Sequence, residues 1–563
     1  MITMSAGNKP DSFFEECEMR GNITPARSHG ITLGGTNFDA RDMNRMGKKQ
    51  ELRRNFRMIS IIGFVVVLQC TWESVLLFVH WNAVYKTRLM SIQLGELRSE
   101  KWRYCRRHLD DSYHLALCHG HDSLSCRDGF HVGQVSVCCT QTDHKCRAPT
   151  AGGQYHWVSE FAPPSFQKSL SYIVGWSAGV GWVTGIPACA QMLSSLVISM
   201  VLLVNPEAPV SELWHVTLIM MLWLLLMIGF NIFLAQHLPL AEGLVLVLHV
   251  LGFFAFLILF WTMAERSPVK EIFTTFQDGG GWGSLGVSAL VGLTTPLWCF
   301  IGPDAGAHMS EELKDASIIL PKAMMWAVFF NGVFGIMMMI TFVICGGALP
   351  ALMDPNLYIG QPVLYAVYNA TGSVAGALVM GTILVILTFF AAVSVTAASS
   401  RQIWAFARDK GLPFSTWIEH VRPGWDVPVN ALLVCLGSSL IMACINFGSD
   451  KTLNAIVSIS NAALIFSYII SISCVRLKRL RGEPLLPRRW SLGRWGGLVN
   501  DLALAFLLVA FVFSFFPEDP KPHVADMNWA ILMFGALAIW ATVNFFVTAR
   551  KSYVAPVSLV KQE

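Results

Sequence analysis

The feature that most constrains this chain is a helix-breaking cluster inside an apolar run. Residues 288–322 read SALVGLTTPLWCFIGPDAGAHMSEELKDASIILPK, and their first part has the composition of a membrane helix. A glycine, a proline and a carboxylate then follow one another at Gly302, Pro303 and Asp304. Because Pro303 has no N–H, carbonyl groups of the preceding turn lose their partners, which in lipid costs several kcal/mol for each group. The sequence therefore predicts a broken membrane helix, unless the helix ends at Gly302 and a polar loop follows in water.

A second polar interruption lies in the first apolar run, residues 58–79. The letters QCTWES at 69–74 place Glu73 well inside this run, where an unpaired carboxylate costs about 2.5–3.5 kcal/mol. Secondary transporters form their binding sites near the bilayer midplane from interrupted helices of this kind. The two breaks therefore predict half-helix ends that face a common site.

The composition excludes several classes of protein. The chain has 563 residues, of which 54% are hydrophobic and 14% are charged. Soluble domains carry about 25% charged residues, so the composition predicts an integral membrane protein. A net charge of +4 is too small to indicate a nucleic-acid partner. The framework has no nucleophile triad, phosphate loop or metal motif, so we predict no enzymatic activity, no cofactor and no metal site.

The apolar segments set the expected topology. Eleven of them are long enough to cross about 30 Å of hydrocarbon. They are predicted at residues 58–79, 168–204, 213–235, 239–263, 283–305, 323–347, 373–398, 427–447, 453–474, 498–516 and 527–548. Basic clusters precede the first segment and follow the seventh and the ninth, and such clusters stay in the cytoplasm. This places both termini there, with residues 1–57 as a disordered tail that ends in a basic flank, 58–548 as the membrane domain and 549–563 as a short carboxyl-terminal tail.

One segment, residues 80–147, does not fit a membrane domain. It contains six cysteines and seven histidines. A zinc site or a disulfide-stapled module is one interpretation, although no pairs with metal-ligand spacing recur. An unusual loop is another. Charges such as Arg103, Arg106 and Asp110 cannot cross hydrocarbon, so we expect this segment to have no stable fold and little burial against the helices.

A third interpretation rests on the genetic code. Allowed codons for residues 97–131 can be chosen so that the frame one base later encodes an apolar membrane span. Removal of 132–147 would then join that span to APTAGGQYHW. We therefore interpret 80–147 as two retained introns around an exon in the wrong frame. One further span would also keep the later basic loops cytoplasmic, so the chain has eleven spans as written and twelve as intended.

Five motifs in order carry a family resemblance: MGKKQELRRNF, QCTWESVLL, PTAGGQYHWVSEFAPP, FIGPDAGAHMSEELKDA and SRQIWAFARDKGLP. With them the chain resembles fungal permeases of the amino acid–choline transporter family, among them GABA and choline permeases, in the amino acid–polyamine–organocation superfamily. The resemblance implies an all-α fold of two inverted five-helix repeats plus two extra helices, here without the second helix. It also implies proton-coupled symport of a small amine-bearing solute, such as an amino acid, GABA or choline, across the plasma membrane or the vacuolar membrane. The implied partners are this solute, protons and the lipid bilayer.

The candidate site residues lie at and after the two breaks. The substrate-binding candidates are Thr71, Trp72, Glu73, Trp298, Phe300, Ile301, Gly302, Pro303 and Asp304. The gate or coupling candidates are His308, Glu311, Glu312, Ser399, Ser400 and Arg401, of which the two serines rest on the resemblance alone.

Several of these side chains have alternative roles. Glu73 is an ammonium partner or proton site, or else a structural acceptor for the unwound backbone. Asp304 could cap the following half-helix instead of binding solute. The aromatic candidates could stack on a cationic group or simply pack. His308 could titrate in a proton path, but a surface position is favoured. Arg401 belongs to a charged cytoplasmic loop network or is an ordinary positive-inside charge.

The glutamates after the second break are expected to form salt bridges at a cytoplasmic gate. Two other functional hypotheses remain beside transport. A transporter-like solute sensor should have a long structured tail, which residues 549–563 do not provide. A mis-spliced isoform without function is the other, because the second helix is missing.

Overall fold

The computed structural model of the chain describes residues 34–77, 136–138, 140, 149–210, 212–268, 281–292, 294–347, 361–422, 424–447, 452–485, 489, 495–517, 520–523 and 527–559. Regular structure in these residues is helical, apart from one isolated bridge between Phe56 and Leu313.

The helices follow the apolar runs of the sequence. In chain order they are α1 Asn37–Arg45, α2 Met58–Leu77, α3 Gln154–Phe161, α4 Gln167–Val204, α5 Leu213–Phe233, α6 Leu238–Met263, α7 Leu285–Val291, α8 Thr294–Phe300, α9 Ala305–His308, α10 Ala316–Cys345, α11 Pro362–Thr371, α12 Val374–Arg408, α13 Ser415–Ile418, α14 Val429–Ile445, α15 Thr452–Leu480, α16 Gly496–Phe513 and α17 Ala530–Asn544.

Nine helices of the described residues are long and apolar enough to cross a membrane, and α14 is a shorter apolar helix. With the interrupted pair α7 and α8, helical structure covers all eleven predicted spans. The predicted all-α polytopic membrane protein is confirmed, while the inverted repeats with two extra helices stay a prediction about its internal arrangement. Two predicted limits were wrong, because α10 begins at Ala316 and α12 continues to Arg408. The extension of α12 is buried in protein apart from the partly buried Arg408, and that of α10 is buried along one side while Lys322 is exposed. A change in apolar composition therefore does not mark where these helices end.

Both predicted interruptions are present. Cys70 is in the left-handed region with φ 44°, which divides α2 into two helical segments. At the second break Gly302 has φ 98°. A Cβ at this position would lie 3.2 Å from the ring of Trp182 and 3.3 Å from Leu68. Glycine is therefore needed here both for the backbone conformation and for the close approach of α4 and α2.

The interrupted helices lie beside each other in the bundle. The helix α2 contacts α9, the short helix that follows the second break, and it also packs against α6, α10 and α12. Just before α2, the N–H of Phe56 donates to the carbonyl of Glu312 at 3.0 Å, and the N–H of Lys314 donates back to Phe56 at 3.2 Å. This short bridge joins the start of α2 to the segment that follows the second break.

The predicted disorder of residues 1–57 is wrong for 34–57, whereas 1–33 lie outside the described residues. A capping box between Thr36 and Asp39 begins α1. Met43, Met46 and Leu52 are buried. Enough apolar side chains alternate with the charges for this segment to pack on the membrane domain.

The predicted carboxyl-terminal tail, residues 549–563, is also packed where it is described. The N–H of Val554 donates to the carbonyl of Asp409 at 3.0 Å, and that of Val557 donates to the Ser159 hydroxyl at 2.9 Å. Tyr553 is fully buried. The segment to residue 559 is therefore docked on the protein.

Most of residues 80–147 lie outside the described residues, and with them the interpretation of that segment. Ser136, Val137, Cys138 and Thr140 are described, and all four are buried. The Thr140 hydroxyl donates to Asn500 on α16 at 3.1 Å. The expectation of little burial is therefore wrong for these four residues, whose side chains are small and uncharged.

Candidate functional site

A cavity of about 50 Å³ lies between the two helix breaks. This space exceeds the roughly 10–15 Å³ that one water molecule requires. Its lining residues are Leu68, Gln69, Cys70, Ser74, Gly181, Trp182, Gly185, Cys189, Met192, Trp298, Ile301, Gly302, Thr388, Ala391, Val395, Ser460 and Leu464. They come from both breaks and from α4, α12 and α15. No charged side chain is among them, so the described wall of the cavity is aromatic, aliphatic and neutral polar.

Side chains from the first break satisfy carbonyl groups at the second. The Thr71 hydroxyl donates to the carbonyl of Cys299 at 3.0 Å, and the Gln69 amide donates to that of Phe300 at 3.3 Å. Asn331 of α10 donates in turn to the Gln69 side chain at 2.9 Å. The carbonyl groups before the second break therefore have protein partners, which permits non-helical backbone at membrane depth.

The substrate-binding candidates divide between the cavity and its surroundings. Trp298, Ile301 and Gly302 line the cavity, whereas the other six do not. Trp72 is fully buried against Phe253 and Phe256 of α6, with ring centroids 6.1 and 5.6 Å away.

Glu73 faces α6 and forms a buried pair with His249. Its Oε1 lies 2.6 Å from Nδ1 of the imidazole, and each side chain is 1% exposed. The second carboxylate oxygen and the other ring nitrogen have no hydrogen-bond partner in the described structure. Glu73 thus has a titratable partner within the protein.

Asp304 is fully buried beside the second break. It accepts hydrogen bonds from the Gln154 amide at 2.5 Å and the Tyr468 hydroxyl at 2.6 Å. It precedes α9, yet its side chain accepts no hydrogen bond from that helix, so the capping alternative is wrong. These two donors, from α3 and α15, satisfy both carboxylate oxygens, and α9 has only four residues to cap.

The favoured surface position of His308 is wrong, because the side chain is fully buried. Its Nδ1 lies 2.8 Å from the carbonyl of Ala151, and its ring lies against Trp182 with centroids 5.4 Å apart. A Cβ on Gly153, which has φ 57°, would lie 2.9 Å from the imidazole. The glycine pair before α3 therefore lets this loop cover His308.

Two buried ion pairs form what we call the ion-pair layer: Glu311 with Arg408, and Glu312 with Arg401. Arg408 binds both oxygens of Glu311, at 2.8 and 2.9 Å, and Arg401 Nε lies 2.7 Å from Glu312. Arg54, just before α2, also donates to the carbonyl of Ser310 at 3.1 Å. The layer therefore closes the bundle at the end where α2 begins.

Glu311 is ionised in this layer. Burial raises the pKa of this carboxyl, but the Arg408 guanidinium beside it outweighs burial and lowers the pKa to about 2. Glu311 therefore carries a fixed charge at physiological pH.

The coupling candidates on α12 are buried as well. The Ser399 hydroxyl donates to the carbonyl of Trp182 on α4 at 2.8 Å. The Ser400 hydroxyl accepts from Arg401 at 3.2 Å. Arg401 is 1% exposed and lies within α12, so its assignment to a loop is wrong, whereas its position on the cytoplasmic side stays a prediction. A coupling-ion role for the serines stays a prediction.

We expect Arg408→Gln to lower the free energy of unfolding by about 3–5 kcal/mol, because it leaves Glu311 buried and unpaired. Glu419→Gln is the matched control, since the half-buried pair of Glu419 with Lys410 lies at the same end and is worth about 0–1 kcal/mol. Thermal unfolding of the purified full-length protein in detergent measures both. Equal losses for the two variants would show that the ion-pair layer does not stabilise the bundle.

Several side chains at the site were missed by sequence reasoning. Gln154, Trp182 and Tyr468 reach it from elements that are distant in sequence, and no local pattern indicates them. Glu242 and His249 carried a signal, since both interrupt the apolar run 239–263 where ionisable residues are rare.

Comparison with known proteins yields one family and several relatives. The family model described as amino acid permease matches residues 146–538. A Macrophomina phaseolina protein named as an amino acid/polyamine transporter is 30% identical over 68% of this chain and 84% of its own length. The choline transporter of Saccharomyces cerevisiae is 26% identical over 75% of each chain. Amino-acid permease 2 of Neurospora crassa is 27% identical over 73% of this chain and 75% of its own length.

Proposed function

Since this chain belongs to the amino acid permease family, we propose that it carries a small amine-bearing solute in symport with protons by alternating access. The chain is an integral membrane transporter rather than an enzyme. The relatives named above as a choline transporter and an amino-acid permease support choline and amino acids as solutes, and the family resemblance adds GABA to the proposed class. We place the protein in the plasma membrane or the vacuolar membrane, with both termini in the cytoplasm.

The cavity between the helix breaks is the observation that carries this proposal. Trp182 and Trp298 line it, and aromatic faces attract ammonium groups. With no carboxylate in the described lining, the cation would be held by ring faces and main-chain oxygens. A carboxylate on the solute would favour the N–H groups that a half-helix leaves free at its amino-terminal end. This distribution suits zwitterionic and cationic solutes of small size.

The gate candidates fit the proposed transport cycle. Glu311, Glu312 and Arg401 belong to the ion-pair layer, which closes one end of the bundle. Access from that end requires those pairs to separate or to move with one half of the bundle. We therefore assign the layer as the gate on the side that is predicted to be cytoplasmic.

We also propose that solute is transported by a form of the chain in which residues 80–147 are replaced by a membrane span. The family match begins at residue 146, within the last two residues of the segment 80–147 that is assigned to retained introns. This boundary supports the interpretation that 80–147 replaces a lost helix. We therefore expect transport from a frame-restored form, in which 80–147 is replaced by residues 97–131 read one base later.

Two natural cysteines in the cavity test where the solute binds. Cys70 and Cys189 line the cavity, whereas Cys444 is exposed elsewhere. We expect choline, GABA or an amino acid to slow the reaction of the cavity thiols with a small methanethiosulfonate in the frame-restored form. Labelling of Cys444 in the same sample is the control and should not change. Mass spectrometry of the labelled peptides gives both rates.

The assignment of the cavity fails if a solute that the frame-restored form takes up protects neither cavity thiol. The proposed function itself fails if that form reaches the membrane and takes up none of the three solute types. A Cys70→Ser and Cys189→Ser double variant should lose the protected signal, which identifies its source.

A further inference from the structure

One buried carboxyl group differs from all the others in the described part of the chain. Glu242, in the second turn of α6, is fully buried and forms no ion pair with any described residue. Every other buried carboxylate of the described residues lies within 3.7 Å of a Lys, Arg or His nitrogen. An ionised carboxylate without such a partner is costly in an apolar interior. Its surroundings therefore favour the neutral acid.

The hydrogen bonds of Ser394 point to the same protonation state. Its hydroxyl on α12 lies 2.5 Å from Oε1 of Glu242 and 2.9 Å from the carbonyl of Phe390. A serine hydroxyl has one hydrogen to donate, and a carbonyl can only accept. Both contacts are full hydrogen bonds when Ser394 donates to Phe390 and a protonated Glu242 donates to Ser394. The second carboxyl oxygen has no partner in the described structure.

Glu242 lies where three helices meet. A Cβ on Gly63 of α2 would be 2.9 Å from the carbonyl of Glu242, so α2 and α6 are in close contact at this level. Gly63 and Glu242 both lie near the start of their helices, at the end of the bundle that the ion-pair layer closes. His249 is two turns further along the same face of α6, about 10 Å nearer the first break.

The other ionisable groups on the helices packed against α6 either pair with other residues or form no hydrogen bond or ion pair with Glu242 in the described structure. Glu73 of α2 pairs with His249, Arg401 and Arg408 of α12 belong to the ion-pair layer, and Lys322 of α10 is exposed. The remaining ones, none of which forms a hydrogen bond or ion pair with Glu242 in the described structure, are Arg57, Cys70, His237, Cys345, Tyr365 and Tyr368. Within the part of the chain that the structure describes, no fixed cation therefore holds Glu242 in its ionised form.

We propose that Glu242 is the residue that binds and releases the coupling proton, and that Ser394 positions its protonated form. The inference rests on the proposed proton symport and adds the site of the proton. Release transfers the carboxyl hydrogen to water and leaves a carboxylate, while Ser394 keeps its bond to Phe390. The carboxylate cannot stay between α2, α6 and α12 without a partner, so proton loss favours separation of these helices at the gated end.

Glu242→Gln tests the proposal, because the glutamine amide can still donate to Ser394 but cannot lose a proton. In the frame-restored form we expect this variant to exchange solute across the membrane at a rate that no longer depends on pH. It should also lose accumulation, so that solute concentrations inside and outside become equal at steady state. Glu212→Gln, at an exposed position before α5, is the matched control and should accumulate solute like the wild type.

Infrared spectroscopy of the purified full-length protein detects the protonated carboxyl group of Glu242 directly. We expect the wild-type spectrum minus that of Glu242→Gln to contain the carbonyl stretch of a protonated carboxylic acid, with the heavy-water shift of an exchangeable hydrogen. If Glu242→Gln does not fold, Ser394→Ala takes its place and should change the frequency of this band, since the partner of the acid is lost.

The outcomes distinguish a failure of the Glu242 assignment from a failure of the proposed transport function. Proton-driven accumulation by Glu242→Gln, or a difference spectrum without the acid band, overturns the assignment of Glu242 and leaves the transport function intact. A frame-restored wild type that reaches the membrane and moves no amine-bearing solute overturns the function instead. An unchanged band in Ser394→Ala overturns the positioning role of Ser394.

Discussion

Gly302→Leu is expected to abolish solute binding and uptake. A residue with a side chain is strained at φ 98°, and its Cβ alone would lie 3.2 Å from Trp182 and 3.3 Å from Leu68. The remaining atoms of a leucine would have to enter the adjoining cavity, which holds about 50 Å³. The substitution therefore removes the space for solute and disturbs the second break. Solute-dependent thermal stabilisation and uptake measure the two effects.

Gly437→Leu is the matched control for this variant. Gly437 lies on the apolar helix α14, and a Cβ there would meet nothing within 4 Å. It should bind and transport like the wild type. If Gly302→Leu retains wild-type affinity and uptake, solute does not bind at this break, and the cavity has another role.

The second large effect concerns residues 80–147. We expect the full-length chain to be retained and degraded in transport-deficient cells, and the frame-restored form to reach its membrane and take up solute. Charges such as Arg103, Arg107 and Asp111 would each cost about 2.5–3.5 kcal/mol near the centre of a membrane helix, so the segment cannot serve as a span. Without a second span, polar faces that should pack on that helix stay uncovered.

Surface labelling and uptake of both forms in the same cells measure this difference. Sequencing of the messenger RNA gives an independent test, since retained introns would carry splice junctions at the ends of the segment. Equal uptake by the two forms would show that 80–147 is a genuine part of the protein. The four buried residues near 136–140 would then be the start of its packing on the bundle.

The amino-terminal segment adds a structural role to the closed end of the bundle. Asp39 accepts hydrogen bonds from the N–H groups of Asp315 at 2.9 Å and Ala316 at 3.2 Å, at the start of α10. Lys48 pairs with Asp409 after α12, and Arg54 contacts the segment after the second break. Opening of the proposed gate must therefore move or release these contacts.

Features that depend on neighbouring residues could be read from the sequence. Pro303 removes an N–H wherever it stands in a helix, so the second break was predictable from its position in an apolar run. The first break was predictable because Glu73 interrupts another such run, although the left-handed residue proved to be Cys70. Low charge and the apolar runs likewise determined a polytopic helical membrane protein, since lipid leaves the backbone few alternatives.

The partners of the buried polar groups were decided only by tertiary structure. His249 follows Glu73 by 176 positions, and Asp304 lies 150 and 164 positions from Gln154 and Tyr468. Helix packing brings such groups together, and no local pattern records which faces meet. The same holds for Glu242: its position in an apolar run indicates a buried carboxyl, but only the arrangement of α2, α6 and α12 shows that, among the described residues, a serine and no basic group faces it. Local residue patterns thus dictate where the helices break, whereas helix packing sets which buried charges find a partner.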